Sequence, residues 1–199
     1  MKILAKDKVE ALLDKIAQQA AVFVPLAVEQ GSGFYPWNDE NKDKPLLLDA
    51  LNVYTSPKYV LFPQTERMYD LKQQGQELEI DKTYEDHSER VIFGVRACDA
   101  RAMRSLDDVF LTRGFTDSFY KARRDHVTVI GNACYNPGAN CFCEAMGVSM
   151  TDPESDVIIR DAGDEGYIWE PQTDQGEKLT QAVAEFLTDK ELTAPQAGP

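Results

Sequence analysis

Glu89-Arg-Val-Ile-Phe-Gly-Val-Arg96, running straight into Ala97-Cys98-Asp99 and followed later by Val127-Thr-Val-Ile-Gly131, is the stretch that decides the fold. Both runs are short, apolar and rich in β-branched residues, the composition of a strand buried on two faces. Between them Ala100, Met103, Leu106, Val109 and Phe110 recur at helical spacing, and Asp99 stands where an N-cap residue would. Strand, helix and strand in that order form a βαβ unit, whose strands run parallel and are joined by a right-handed crossover. The expectation is an α/β fold: a mixed, partly parallel sheet with flanking helices, built around this central βαβ unit.

Outward from that centre, Asp7 and Glu10 have the spacing of a capping box, and Val9, Leu12, Leu13, Ile16 and Ala20 give the stripe of an amphipathic helix. Val22 to Val28 reads as extended, with Pro25 placing it at an edge or a bulge. Residues 29 to 45 are rich in Gly, Asn, Asp and Lys and read as a loop pinned by Phe34, Tyr35 and Trp37. Tyr59-Val-Leu-Phe62 reads as a short strand ending at Pro63, and Glu66 to Leu71 has helical character. Asp156 to Arg160 and Tyr167 to Trp169 are two strands joined through Gly163-Asp-Glu-Gly166 in a hairpin-like connection. Leu179, Val183, Phe186 and Leu187 mark a closing helix. With no internal repeat, residues 1–190 read as one α/β domain carrying the cysteine site described below. The Pro- and Gly-rich residues 191–199 read as a flexible tail or linker.

Composition narrows the classes of function. The 199 residues include 21 Lys+Arg against 34 Asp+Glu, a formal net charge of -13. Such acidity works against nucleic acid, whose phosphates need clustered Lys and Arg, and against anionic membrane surfaces. No apolar run approaches the roughly 20 residues needed to cross a bilayer, and the first residues contain no apolar signal core. A cytoplasmic protein is expected.

The four cysteines are Cys98, Cys134, Cys141 and Cys143, the last three falling within Cys134-Tyr-Asn-Pro-Gly-Ala-Asn-Cys-Phe-Cys143. In a reducing compartment, clustered cysteine more often means metal or redox chemistry than disulfides. Four unrelated buried cysteines are the alternative, since free cysteine is among the most buried residue types. Cys98 follows the first strand of the βαβ unit and Cys134 the second. Parallel strands share a carboxyl edge, which is where open α/β sheets place their ligands. The turn formers Asn136, Pro137, Gly138 and Asn140 could fold the chain back across that edge. If Cys141 and Cys143 lie in extended chain, they point to one face with Phe142 turned away. The four thiols would then converge on one ion or cluster.

Around them, Arg96 and Arg101 flank Cys98 beside a helix N-terminus whose field favours thiolate. Arg104 has an equally good reading as a surface residue paired with Asp99, Asp107 or Asp108. The histidines, His87 and His126, are not near Cys98 in sequence, and neither a G-x-S-x-G elbow nor a phosphate-binding glycine motif occurs.

At these residues the chain resembles a known family. Gly94-Val-Arg-Ala-Cys-Asp-Ala-Arg-Ala102, the stretches at Phe119-Tyr120 and Arg123-Arg124, then Cys134 and Cys141-Phe-Cys-Glu-Ala-Met-Gly147 are similar to the amino-terminal domain of one iron–sulfur protein family. It comprises the iron–sulfur subunits of anaerobic sulfite reductase, the beta subunits of sulfhydrogenases, and related 4Fe-4S dicluster proteins of heterodisulfide-reductase-type complexes. Ser56-Pro-Lys58 through Phe62-Pro-Gln64 to Glu66, and the opening helix leading to Val24-Pro25, are also similar, so the resemblance runs from about residue 10 to residue 187. Ala97 stands where many relatives have Pro. The family usually continues into two C-x2-C-x2-C-x3-C runs that this sequence lacks, so those two clusters are not expected of these residues.

The resemblance implies an electron-transfer module of an anaerobic oxidoreductase, relaying electrons between a flavin- or NAD(P)H-linked subunit and a reductase or hydrogenase subunit without breaking a substrate bond. Joined to the reading of the cysteines, it gives a [4Fe–4S] cluster on Cys98, Cys134, Cys141 and Cys143, with Arg96, Asp99, Arg101 and Phe142 around it. Arginines and amides would offset the cluster's negative charge, and Phe142 and Tyr135 would shield it from water. A structural zinc site on the same four thiolates, serving a docking domain without redox activity, is the alternative. A thiol enzyme with Cys98 as nucleophile is a third reading, and it requires a base beside Cys98.

Overall fold

A computed structural model describes residues 1–29 and 31–191, with only the backbone at position 81. Along the chain come β1 (Lys2–Leu4), α1 (Val9–Ala17), β2 (Ala21–Val28), β3 (Gly31–Pro36), α2 (Lys58–Leu61), β4 (Tyr69–Gln74) and β5 (Glu77–Thr83). Then follow β6 (Arg90–Arg96), α3 (Ala97–Asp107), α4 (Ser118–Asp125), β7 (Val127–Asn132), β8 (Val157–Asp161), β9 (Tyr167–Pro171), α5 (Asp174–Ala182) and β10 (Leu187–Asp189). Among the described residues, eight strands make one sheet in the order β10-β1-β9-β8-β7-β6-β2-β3, while β4 and β5 pair with each other in a second, two-stranded sheet. The four strands β2, β6, β7 and β8 run parallel, and antiparallel strands extend the sheet on both sides. The expected mixed sheet around a βαβ unit is therefore present. No helix among the described residues is long and apolar enough to cross a membrane.

One residue sets the phase of the central strand. Along β6, Val91 and Phe93 enter the core beneath α1 and α5, whereas Ile92 faces the core shared with α2, α3 and α4. Regular alternation would put Val95 with Phe93, yet Val95 joins Ile92. The register explains it: Phe93 pairs with Ile130 and Val95 with Gly131, so Gly94 is an extra residue in a β-bulge, at φ 85. Both faces of β6 are covered, which is why its sequence reads as continuous apolar chain.

Several local expectations are corrected. Residues 31–36 form β3 rather than loop, with Phe34 and Trp37 buried, because Gly31 and Gly33 leave room for close strand pairing; a Cβ on Gly33 would lie 2.5 Å from the Thr55 Cβ. Tyr59 to Phe62 is not a strand: Lys58–Leu61 is a single helical turn that buries Val60 and Leu61. Glu66 to Leu71 is not helical, since Tyr69 begins a hairpin in which Leu71 pairs with Ile80. β2 is an interior strand whose ladders with β3 and β6 carry no register shift, so Pro25 marks neither an edge nor a bulge of its own strand; it lies beyond the last parallel pair, Phe23 with Ile92, and close to the Gly94 bulge of β6. No capping box forms at Asp7, where a 3-10 turn leads into α1 without a side-chain cap. Asp99 is not an N-cap; Arg96 is, and Asp99 lies in the first turn of α3. That helix stops at Asp107 and opens into a wider π turn over Asp108–Thr112. The closing segment is α5 and a short 3-10 turn, with Leu187 already in β10. Of the expected tail, residues 192–199 lie outside the described residues.

Candidate cysteine site

Cys98 is the second residue of α3 and Cys134 lies two residues beyond β7. Because β6 and β7 are parallel and end together at the pair Arg96–Asn132, both cysteines leave the sheet at the same carboxyl edge. The backbone fixes this locally: Ala133 N–H donates to the Ile159 carbonyl at 3.0 Å and Cys134 N–H to the Met150 carbonyl at 2.9 Å. Beyond Cys134 the chain turns as its Asn, Pro and Gly content requires. Cys141 N–H donates to the Gly138 carbonyl at 3.0 Å, and Gly138 N–H donates to the Cys141 sulfur at 3.3 Å. Cys143 is in right-handed helical conformation and opens a 3-10 turn, Glu144–Met146, that closes on the left-handed Gly147. The extended geometry expected through Cys143 is therefore absent, although Phe142 does point outward, 69% exposed.

All four thiols are free; Cys98 and Cys141 are exposed, Cys134 and Cys143 half-buried. Among the described residues, no three or more Cys, His, Asp or Glu side chains are gathered closely enough to hold a metal ion. The edge thus offers four soft donors, the ligand chemistry of iron–sulfur or zinc centres, two on rigid strand ends and two on a turn.

The electrostatics differ from the sequence expectation. The Cys98 thiol is pushed up to about 11, first by desolvation against the surrounding protein, then by the charges of Asp99 and Cys143. It remains open to solvent in spite of this crowding. The expected help from arginines is missing because those side chains are engaged elsewhere. Arg101 and Arg104 both bond Glu154, at 2.8 Å and 2.9 Å, rather than Asp99, Asp107 or Asp108. Arg96 turns to main chain, with Nε on the Ala50 carbonyl at 3.2 Å, Nη1 on Ala133 at 3.2 Å and Nη2 on Leu48 at 2.6 Å. Asp99 accepts the Ser56 hydroxyl at 3.1 Å, and burial pushes its carboxyl up. Tyr135 lies beside Arg160. His87 and His126 meet edge to face at 5.2 Å, just before β6 and β7, and so at the opposite edge from Cys98. Neither can serve as the base that a Cys98 nucleophile needs.

Two contributors have no local signal in the sequence, the segment Leu48–Leu51 and Glu154, and a third, Asn132, has a faint one. Asn132 is buried, and its Nδ2 donates to the Leu48 carbonyl at 2.8 Å. An Asn closing an otherwise apolar strand, in register with the Arg of the cysteine motif, is the one clue the sequence offers.

No protein-family model matches the chain, and no solved structure matches it. The chain is similar to sulfhydrogenase 2 subunit beta of Pyrococcus furiosus, 25% identical over 161 residues. The match covers 79% of this chain and 46% of that protein, so the chain spans less than half the length of the curated relative it matches.

Proposed function

We propose that this chain is an electron-transfer subunit, or part of one, in an oxidoreductase complex, and that Cys98, Cys134, Cys141 and Cys143 hold an iron–sulfur cluster of the [4Fe–4S] type. The observation that carries the reading is topological: one crossover-linked pair of parallel strands delivers Cys98 and Cys134 to one edge, and the turn after Cys134 carries the other two. Distant similarity to a subunit of a sulfhydrogenase supports the oxidoreductase setting. A cluster held there would supply one-electron redox chemistry. The protein's own part is to keep four thiols near the surface, within reach of a partner, on a scaffold that is rigid at the two strand tips. The turn bearing Cys141 and Cys143 must close toward the strand tips for all four to share one centre. The partners are a flavin- or NAD(P)H-linked subunit on one side and a reductase or hydrogenase subunit on the other, in the cytoplasm of an anaerobe.

Protein purified without oxygen should contain about four iron and four sulfide per chain and give an electron paramagnetic resonance signal on reduction. Changing any one of the four cysteines to Ser should lower iron content. Stoichiometric zinc without iron, or no metal in protein never exposed to air, overturns the proposal.

A further inference from the structure

The carboxyl edge carries a strap that the cysteine motif alone does not account for. Residues Leu48–Leu51 cross it, held from below by two residues that are partners in the parallel register, Arg96 on β6 and Asn132 on β7. Both donate to the Leu48 carbonyl, and Arg96 also bonds the Ala50 carbonyl. A third device is steric: the Leu48 side chain occupies the space that a Cβ on Gly94 would need, 2.9 Å from that position. At the far end of the strap, Leu51 Cδ1 lies 3.1 Å from where a Cβ on Gly138 would be, in the turn between Cys134 and Cys141. The strap therefore bears on the turn that carries two of the four thiols.

Arg96 is the common point of this arrangement. It precedes Cys98 by two residues, and its Nη1 bonds the carbonyl of Ala133, the residue before Cys134. One rigid guanidinium thus ties the start of the Cys98 segment, the start of the Cys134 segment and the strap over the turn. Each of its three nitrogens is spent on a main-chain carbonyl, whereas Arg101 and Arg104 bond the Glu154 carboxylate. A planar fork can span three acceptors set at different angles; a lysine ammonium carries the charge as a single point.

We propose that Arg96 is the positioning residue of the cysteine site: it fixes the spacing of Cys98 and Cys134 and the seat of the turn bearing Cys141 and Cys143. The proposal rests on the iron–sulfur reading above. Partners that orient metal ligands without touching the metal commonly govern metal affinity tenfold or more.

The test compares the unmodified protein with Arg96→Gln, Arg96→Lys and, as a control, Arg67→Gln, whose partner Asp70 lies on the β4–β5 hairpin. The readout is independent of activity: binding of cobalt(II) alone to the metal-free protein, followed by thiolate-to-cobalt absorbance, whose intensity reports how many thiols reach the ion. Arg96→Gln should weaken cobalt binding about tenfold or more. Arg96→Lys should recover little of the affinity, and Arg67→Gln should match the unmodified protein. Equal binding and equal absorbance in all four proteins overturn the role of Arg96 while leaving the cluster assignment standing. An unmodified protein that takes up neither cobalt on its thiols nor iron overturns the cluster assignment itself. Should Arg96→Gln not fold, Arg96→Lys with unchanged affinity is enough to reject the positioning role.

Discussion

Gly94 and Leu48 contend for one volume: a Cβ added to Gly94 would lie 2.9 Å from Leu48 Cδ2, and the Gly94 backbone stands at φ 85, where side chains are rarely tolerated. Bulge, strap and cysteine edge are thereby linked through a residue that touches no thiol.

Gly94→Ala should destabilise the protein by about 2–3 kcal/mol, combining a left-handed backbone with overpacking. Gly75→Ala is the comparison, because Gly75 is also left-handed, at φ 63, but has nothing within 4 Å of the added carbon. It should cost only about 1 kcal/mol. Urea unfolding followed by circular dichroism measures both, and equal losses would refute the steric account.

In metal-free protein, Cys98 should react slowly with iodoacetamide at pH 8, since its thiol ionises only near 11. An offset of about two pH units from a free cysteine leaves about a hundredfold less thiolate. Asp99→Asn should raise the rate by removing one of the charges that hold the thiol protonated. In the folded protein the raised ionisation contributes stability at pH values below the ordinary cysteine range, lost as pH climbs toward 11. Peptide-resolved mass spectrometry of alkylation across pH 7–11 gives the titration directly.

Glu154 receives Arg104 and Arg101 on its two oxygens, and these bonds hold its carboxyl below the usual glutamate range in spite of some desolvation. Its contribution is present at neutral pH and lost as pH falls through that lowered value. All three side chains are substantially exposed, so Glu154→Gln should cost less than about 1 kcal/mol at pH 7. The difference from the unmodified protein should shrink as pH falls below the usual glutamate range, as chemical denaturation at neutral and acid pH will register.

Arg123 is a buried cation, 4% exposed, that donates to the Leu61 carbonyl at 2.7 Å and pairs with Glu66. Removing only the acid in Glu66→Ala leaves that charge uncompensated and should cost about 3 kcal/mol. The double change Glu66→Ala with Arg123→Met should recover much of the loss. A double variant as unstable as the single one contradicts this account, and thermal melts suffice to decide.

The central βαβ unit is legible in the sequence because β6 and β7 are covered on both faces and their apolar runs have no competing reading. The bulge at Gly94 is not, since a glycine inside an apolar run looks the same whether the strand continues or shifts phase. Tyr59 to Phe62 misleads for a related reason: four apolar residues fit one helical turn as well as a short strand, and the packing of Val60 and Leu61 decides. β3 hides behind Gly31 and Gly33, which serve close backbone approach there rather than a loose loop. At the candidate site, the cysteines and their flanking arginines stand out by motif. What the arginines bond cannot be read from the motif, because Glu154, Ala50 and Leu48 arrive from distant segments.

β1 lies between β9 and β10, with Lys2 opposite Asp189, and the Met1 amino group bonds the Lys190 carbonyl at 2.8 Å. Topologically the described chain is a ring with one gap, and the gap falls at a seam already stitched by a ladder. A circular permutant that joins this seam through a short linker and opens instead at the Gly75 hairpin tip should keep the same eight-stranded sheet.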